Sequence, residues 1–516
     1  MSLTHLAVHN ARLYGDKPAF VFGDRSISFA AYNARVNRLV QGLATRGVHR
    51  GDRVAFLTRN SFAGLEVYGA CEKGGFVAAP LNFRLTPREL APILDNLDPH
   101  VVFVQSAYFE VARELKEQLP ARLFVAMGGD APGGWTSIEE LVADGVDIEP
   151  DVAVSPDDVA YLMSTSGTTG TPRAAMLTHR GQWMNTSALA LEMRLAPTDR
   201  HLAIMPIYHV GGRAIVLAHM LRGCTVHLHD GFDADLVARD IERDEITTLQ
   251  VVPTMVAWLL DDRLSEANFS SLRLIWYASA PMPVELLRRA LKRFGPIFIQ
   301  GYGQTESGPL ATSLLPEEHT PDRPGAERLA SAGRAVPGVE VGISHDDGSE
   351  LPSGGIGEIK IKSPWIMAGY WRRPDMTTEV LRDGWLFTGD MGRMDDRGYL
   401  YLVDRKKDMI ISGGENIYPR EVEEVLYAHS SVLEATVIGI PDDVWGESVL
   451  ALVVPRAGAN LTEDEVIIFC RSKLARYKCP KAVEFRSELP KTPSGKILKR
   501  ALREPYWSLQ SGVGGE

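Results

Sequence analysis

The first half of the chain switches repeatedly between two hydrophobic periods, and this rhythm limits the folds open to it more than any other feature. Residues 29–46 carry apolar side chains at helical spacing and stop at Gly47, after which residues 53–57 form the apolar run of a buried strand. Residues 63–73 are helical again and lead into the apolar stretch 76–80. Strand-like runs recur at 159–162, 201–206, 225–228, 248–253 and 272–277. Strand, helix and strand in this order predict parallel α/β sheets joined by crossover helices. No repeat at solenoid spacing is present.

From about residue 335 the pattern turns to short β runs, at 339–343, 357–362 and 398–403, separated by turn residues such as Asp346, Asp347 and Gly348. A small antiparallel subdomain is expected there. The run 404–408, Asp-Arg-Lys-Lys-Asp, then breaks the apolar pattern with five successive charges, which reads as a turn or linker rather than core. The expected organisation is an N-terminal domain over 1–406, its β-rich subdomain at about 335–406, and a mobile α+β C-terminal domain over 407–516. Within the latter, residues 419–427 and 463–476 read as helices and 432–440 as a strand.

The 516 residues allow about three folding units. The net charge of -11 argues against a general nucleic-acid binder. A basic stretch at 471–503 stands out against it, either a solvated face or a surface for a polyanionic small molecule. The four cysteines form no Cys-x-x-Cys pair and no zinc-finger spacing with histidines, so a reduced, cytoplasmic chain is expected. No apolar run approaches the roughly 18 residues that span a bilayer, and integral membrane association is not expected.

Behind the strand-like run 159–162 lies a loop rich in hydroxyls and glycine, with Thr165, Ser166, Gly167, Thr168, Thr169 and Gly170 ahead of Arg173. The glycines let backbone N–H groups converge on anionic oxygens while the hydroxyls donate from the sides, so the loop suits a polyphosphate. It is not a Walker A loop, because no Gly-Lys-Ser/Thr ending follows at the required spacing. As bare sequence it is equally an ordinary solvated turn.

Four further segments follow in order. They are Gln300-Gly301-Tyr302-Gly303-Gln304-Thr305-Glu306, Trp385-Leu386-Phe387-Thr388-Gly389-Asp390, the pair Asp404-Arg405-Lys406-Lys407 and Ser412-Gly413-Gly414-Glu415-Asn416, and Pro493-Ser494-Gly495-Lys496. With the hydroxyl loop, these make the chain resemble an acyl-CoA synthetase of the adenylate-forming superfamily, which also contains firefly luciferase and nonribosomal-peptide adenylation domains. The resemblance spans nearly the whole chain. It implies that a carboxylic acid is joined to the α-phosphate of ATP with loss of pyrophosphate, and that coenzyme A then displaces AMP. Both steps concentrate negative charge, so phosphate donors, Mg2+ and a placed cation are wanted.

Carried onto this sequence, the resemblance wraps the loop from Thr165 to Gly170 around the β- and γ-phosphates. Thr305 would bond the α-phosphate and Glu306 would hold magnesium. Tyr302, beside Gly301, would stack on adenine near Ser279, Ala280 and Pro281. Asp390 would accept the ribose hydroxyls and Arg405 would bind ribose or phosphate. Lys496 would bridge the carboxylate and the α-phosphate, Lys407 would be the hinge, and Gly413 and Gly414 would approach the pantetheine of CoA. Two departures stand out. The phosphate loop reads Pro172-Arg173-Ala174 where the family has Pro-Lys-Gly, and the adenine segment reads Ala278-Ser279 where the family has Gly-Gly or Gly-Ala. Arg173 keeps the charge, whereas Ala174 excludes positive φ.

The resemblance draws the acid pocket from Tyr208, His209 and Gly211, with the bulk of Trp276 and Tyr277 closing its floor. The segment holds no aspartate for a substrate ammonium, which favours a plain organic acid. Fatty acids and aryl acids both remain, with overall likeness tilting toward a medium or long fatty acid. Two alternatives are a stand-alone adenylation enzyme loading a carrier protein and a non-catalytic nucleotide-binding protein. A homodimer is left open.

Overall fold

The computed structural model describes residues 1–118, 123–165, 173–321, 325–492 and 496–511. Among these residues the strands form four sheets. In the first, Val101–Gln105, Arg53–Leu57, Val77–Leu81 and Val159–Thr165 run parallel side by side, and Arg173–Thr178 closes the edge antiparallel. Val77–Leu81 is buried throughout, as its unbroken apolar run requires of a strand covered on both faces. The crossover helix Phe62–Gly74 starts at Ser61, whose hydroxyl accepts from the Gly64 N–H, and ends at Gly75 in the left-handed conformation.

The second sheet has a parallel centre, Thr225–Leu228, Arg200–Ala203, Thr248–Val251, Leu274–Tyr277 and Phe298–Tyr302 in spatial order. Thr312–Leu314 and Arg25–Ser28 add antiparallel pairings toward its two edges. The anticipated α/β architecture is therefore present as two mixed sheets. Parallel strands fill their middles because helical crossovers link them, and short hairpins make their antiparallel edges.

The third sheet is antiparallel and spans Glu340–Ser344, Gly357–Lys362, Leu381–Arg382, Trp385–Met394 and Leu400–Arg405. Its last strand corrects the reading of the charged run. Asp404 and Arg405 still pair with Met391 and Asp390 in the ladder, and only residues 406–408 form a turn. Asp404 is held inside by the Arg420 N–H at 3.0 Å, and burial pushes its carboxyl above the usual range.

The fourth sheet uses only strands from residue 410 onward: Ile410–Ser412, Glu415–Ile417, Val432–Asp442, Gly446–Pro455 and Ala482–Phe485. Pro419–Tyr427 is helical as expected. The helix read over 463–476 ends earlier, at Arg471, and a separate 3-10 turn covers Arg476–Lys478. Much of the basic stretch is neutralised by acids distant in sequence, with Lys478 on Glu421, Lys481 on Asp442, Lys491 on Glu434 and Lys499 on Glu423. The four cysteines are free and buried. Among the described residues no helix is long and apolar enough to cross a membrane.

Candidate active site

A cleft of about 2240 Å³ opens where the sheets meet. The second sheet contributes Gln250, Trp276 and the stretch from Gln300 to Glu306. The first contributes Ser164, Thr165 and Arg173, the third Thr388, Gly389, Asp390 and Arg405, and the C-terminal unit Lys496. Gln250, Trp276 and Tyr302 lie at or near the C-terminal ends of parallel strands, where open α/β sheets leave their crevices.

Asp390 sits at the centre of a polar network. Its Oδ2 accepts from the Tyr302 hydroxyl at 2.9 Å and from Gln304 Nε2 at 2.7 Å, and its Oδ1 faces Arg405 Nε at 3.4 Å. Gln304 also donates to the Thr388 carbonyl at 2.9 Å. Burial and the Asp390 carboxylate hold the Tyr302 hydroxyl far above its usual range, so it stays a donor. Gln304 was not singled out from the sequence, although it lies inside the Gly-Tyr-Gly-Gln-Thr-Glu run. Thr388-Gly389-Asp390 is strand rather than free turn: Gly389 takes φ 70° and donates its N–H to Glu358 Oε1 at 2.9 Å.

Glu306 accepts from the Tyr370 hydroxyl at 2.8 Å, and the Arg173 guanidinium lies 5.7 Å from the Tyr370 ring centre. Tyr370 is a second residue the sequence reading missed, since nothing in its local pattern separates it from a core tyrosine. Thr305 lines the cleft beside Glu306. The expected conflict at Ala174 does not arise, because the residue is extended and pairs with Ser164. Ser279, by contrast, occupies φ 73°, a conformation natural to glycine. Ala280 and Pro281 follow it along the cleft wall, and Gly301 lies against the edge of the Trp276 ring. Ser166, Gly167, Thr168, Thr169 and Gly170 lie outside the described residues, as do Pro493, Ser494 and Gly495.

Lys496 is carried into the cleft by a short return of chain. The Thr492 N–H donates to the Lys496 carbonyl at 2.6 Å, and the Lys496 N–H donates to Thr492 Oγ1 at 3.0 Å. Burial lowers its ammonium to about 8, with Arg405 and Lys407 acting in the same direction and Asp390 and Glu306 opposing them. His209 caps the helix Val210–Leu221 by accepting from the Gly211 N–H at 3.4 Å. Burial, with Lys496 adding to it, lowers the imidazole to about 4, so it is neutral at pH 7. Tyr208 and Gly211 line the same wall.

The placement of Tyr277 corrects the sequence reading. Trp276 faces the cleft but Tyr277 does not: adjacent strand residues point to opposite faces, and Tyr277 is fully buried against Phe298 and His319. Gly413 and Gly414 lie in the hairpin between Ile410–Ser412 and Glu415–Ile417, away from the cleft lining. Their φ values of 60° and 85° explain the glycines locally. Lys407 is exposed in the turn that follows Arg405 and borders the cleft.

Residues 8–371 match the family described as AMP-binding enzyme, and residues 421–496 match the AMP-binding enzyme C-terminal domain. Feruloyl-CoA synthase of Amycolatopsis sp is 41% identical over 502 residues, covering 97% of this chain and 98% of the relative. The solved structure of ATP-bound MatB from Rhodopseudomonas palustris is similar with a TM-score of 0.89 and 32% identity, covering 99% of this chain and 100% of that one. The anthranilate CoA ligase AuaEII in complex with anthranoyl-AMP gives a TM-score of 0.92 at 27% identity, covering 99% and 98%.

Proposed function

The chain belongs to the AMP-binding enzyme family, and from that premise we propose that it is an ATP-dependent carboxylic acid–CoA ligase acting on an aryl acid. In the first step an acid oxygen attacks the α-phosphorus of ATP and pyrophosphate leaves. In the second the CoA thiolate attacks the acyl carbonyl of the adenylate and AMP leaves. The observation that carries this reading is the approach of Lys496, from the C-terminal unit, to a cleft already holding Glu306, Asp390 and His209. Negative charge grows on the phosphate and acyl oxygens as the adenylate forms, and a cation positioned there stabilises that state more than the ground state.

The Asp390 carboxylate keeps acceptor capacity beyond its bonds to Tyr302 and Gln304, which suits the ribose hydroxyls. Those two donors fix its orientation. Tyr302 would offer its ring to adenine, Thr305 and the loop from Thr165 to Gly170 would bond phosphates, and Arg173 and Arg405 would supply charge around them. Neutral His209 would wall the carboxylate end of the acid pocket without adding charge of its own.

Glu306 has one oxygen on Tyr370, and no group of three or more His, Cys, Asp or Glu that could hold a metal occurs among the described residues. This donor set fits magnesium, which takes one or two carboxylates together with phosphate oxygens and water. Glu306 would hold it, and the ion would supply charge neutralisation on the phosphates.

The aryl class is preferred over a fatty acid because the indole of Trp276 is a flat, rigid wall of the cleft, and because two of the relatives named above carry aryl acids in their names. The domain from residue 407 onward would turn about Lys407 to bring Gly413 and Gly414 to the thiol path. Cytoplasmic placement accords with four unpaired thiols.

Incubation with pooled carboxylic acids, ATP, magnesium and CoA is expected to yield an acyl-CoA, AMP and pyrophosphate by mass spectrometry. Formation of ADP, or acyl transfer to a carrier protein and never to CoA, would refute the assignment.

A further inference from the structure

Resting on the ligase reading, we propose that Gln250 and Trp276 form a subsite for a ring hydroxyl, so that the acid activated is a phenolic one. Gln250 is 4% exposed and Trp276 3% exposed, yet both line the cleft. They are direct partners across the parallel ladder of Thr248–Val251 and Leu274–Tyr277, so their side chains leave the sheet on the same face, side by side. The neighbours Leu249 and Val251 point the other way, into an apolar core.

Neither the Gln250 amide nor the Trp276 indole N–H has a hydrogen-bond partner among the described residues, and neither is sealed off from the cleft. Two other tryptophans donate to backbone carbonyls. Trp365, buried to the same degree, donates to the Leu310 carbonyl at 2.9 Å, and Trp371 donates to the Asn96 carbonyl at 3.1 Å. Two adjacent buried polar groups left open to one cavity are costly unless something in the cavity bonds them.

The space between them and the acid-pocket wall is kept clear by glycine. A methyl group added at Gly211 would lie 3.6 Å from Gln250 Nε2 and 3.7 Å from His209 Nδ1, so a glycine there leaves the slot between the two side chains open. A methyl added at Gly301 would lie 2.0 Å from Cζ2 at the edge of the Trp276 ring, so only glycine leaves room for the indole there. The slot thus has an aromatic wall and a polar end.

The chemistry of the pair selects the ligand group. The indole offers one donor and no acceptor, and the amide offers both. A hydroxyl accepts from the indole or amide N–H while donating to the amide oxygen, and so satisfies both. An alkyl chain satisfies neither. An ether satisfies only the donors. A site of this kind discriminates strongly against an analogue that lacks the group, because its buried partners are then left bare.

The test is ATP–pyrophosphate exchange with hydroxybenzoates and hydroxycinnamates, each compared with the acid in which methyl replaces the hydroxyl. At least one hydroxyl acid is expected to exceed its methyl partner about tenfold or more in kcat/KM. Gln250→Leu is expected to bring that ratio to within about threefold, and Trp276→Phe to reduce it, with melting showing that both variants fold. Should Gln250→Leu not fold, the Trp276→Phe ratio decides. Equal rates for hydroxyl and methyl acids, or a preference that survives both substitutions, overturn the subsite alone. Exchange with no acid of any class overturns the ligase reading, and the subsite with it.

Discussion

Ser279 holds φ 73° on the wall of the cleft, a conformation in which a Cβ is penalised by roughly 1–3 kcal/mol. Glycine removes that strain but adds freedom to the unfolded chain, worth about 0.5–1 kcal/mol in the other direction. Ser279→Gly is therefore expected to stabilise the protein by about 1 kcal/mol, seen as a higher urea midpoint. An unchanged or lower midpoint would mean that the serine side chain offsets its own strain. Lys496 gives the second prediction at this scale. Its ammonium sits at about 8, so it is charged below that pH and loses its proton as pH rises through it. The kcat/KM for pyrophosphate exchange is expected to fall above about pH 8, and Lys496→Ala to leave a low rate without that descent. A wild-type profile flat to pH 10 would remove Lys496 from the charge-stabilising role. At this scale the residues inside dense motifs, such as Thr305, Glu306 and Asp390, are the ones that line the cleft as the sequence led one to expect. The sequence was illegible where strand parity decided, since Trp276 and Tyr277 are neighbours with opposite faces. It was also illegible where the partner is remote, as with Tyr370 on Glu306, 64 positions apart.

Elements are held together at one point the sequence did not announce. Glu72, on the helix Phe62–Gly74, accepts from Arg213 of the helix Val210–Leu221 and from the Tyr161 hydroxyl of the strand Val159–Thr165. Arg213 is fully buried and lies 4.3 Å over the Tyr68 ring. This group joins the helix that His209 caps to the strand that leads into the hydroxyl loop. Glu72→Ala would leave a buried guanidinium without its counter-charge, and a loss of about 3–5 kcal/mol is expected, read as a large drop in the denaturation midpoint. A change below about 1 kcal/mol would show that water reaches the site. The helices Phe29–Thr45 and Phe62–Gly74 were legible to within a residue because period and caps agree. The strand Trp385–Met394 was not read from the sequence. Its middle, Thr388-Gly389-Asp390, has turn-like propensity, and ladders on both sides override it. The helix Glu463–Arg471 was read too long because Ser472, Lys473 and Leu474 fit a helix as well as the loop they form.

For the whole molecule the decisive arrangement is one the sequence could name but not show: Lys496 is in the cleft while Gly413 and Gly414 are outside it. Both belong to the unit after residue 407, and this placement of that unit brings only Lys496 to the cleft. If the unit turns between half-reactions, mutation should separate them. Lys496→Ala is expected to cut pyrophosphate exchange by about 3 kcal/mol or more, roughly 100-fold or beyond, while a supplied acyl-adenylate is still converted to acyl-CoA. Lys407→Pro is expected to do the reverse. The Lys407 N–H makes no hydrogen bond among the described residues, so proline removes no bond from the present arrangement, yet its fixed φ obstructs turning at that point. The Arg503 guanidinium rests on the Lys407 carbonyl at 3.2 Å, which lies in the rigid peptide plane that leads into residue 408 and so turns with the unit that carries Arg503. Both half-reactions are to be measured on both variants, with melting as the check on folding. Equal losses in all four assays would leave Lys407 an ordinary turn residue and require both steps to run from one arrangement of the two units.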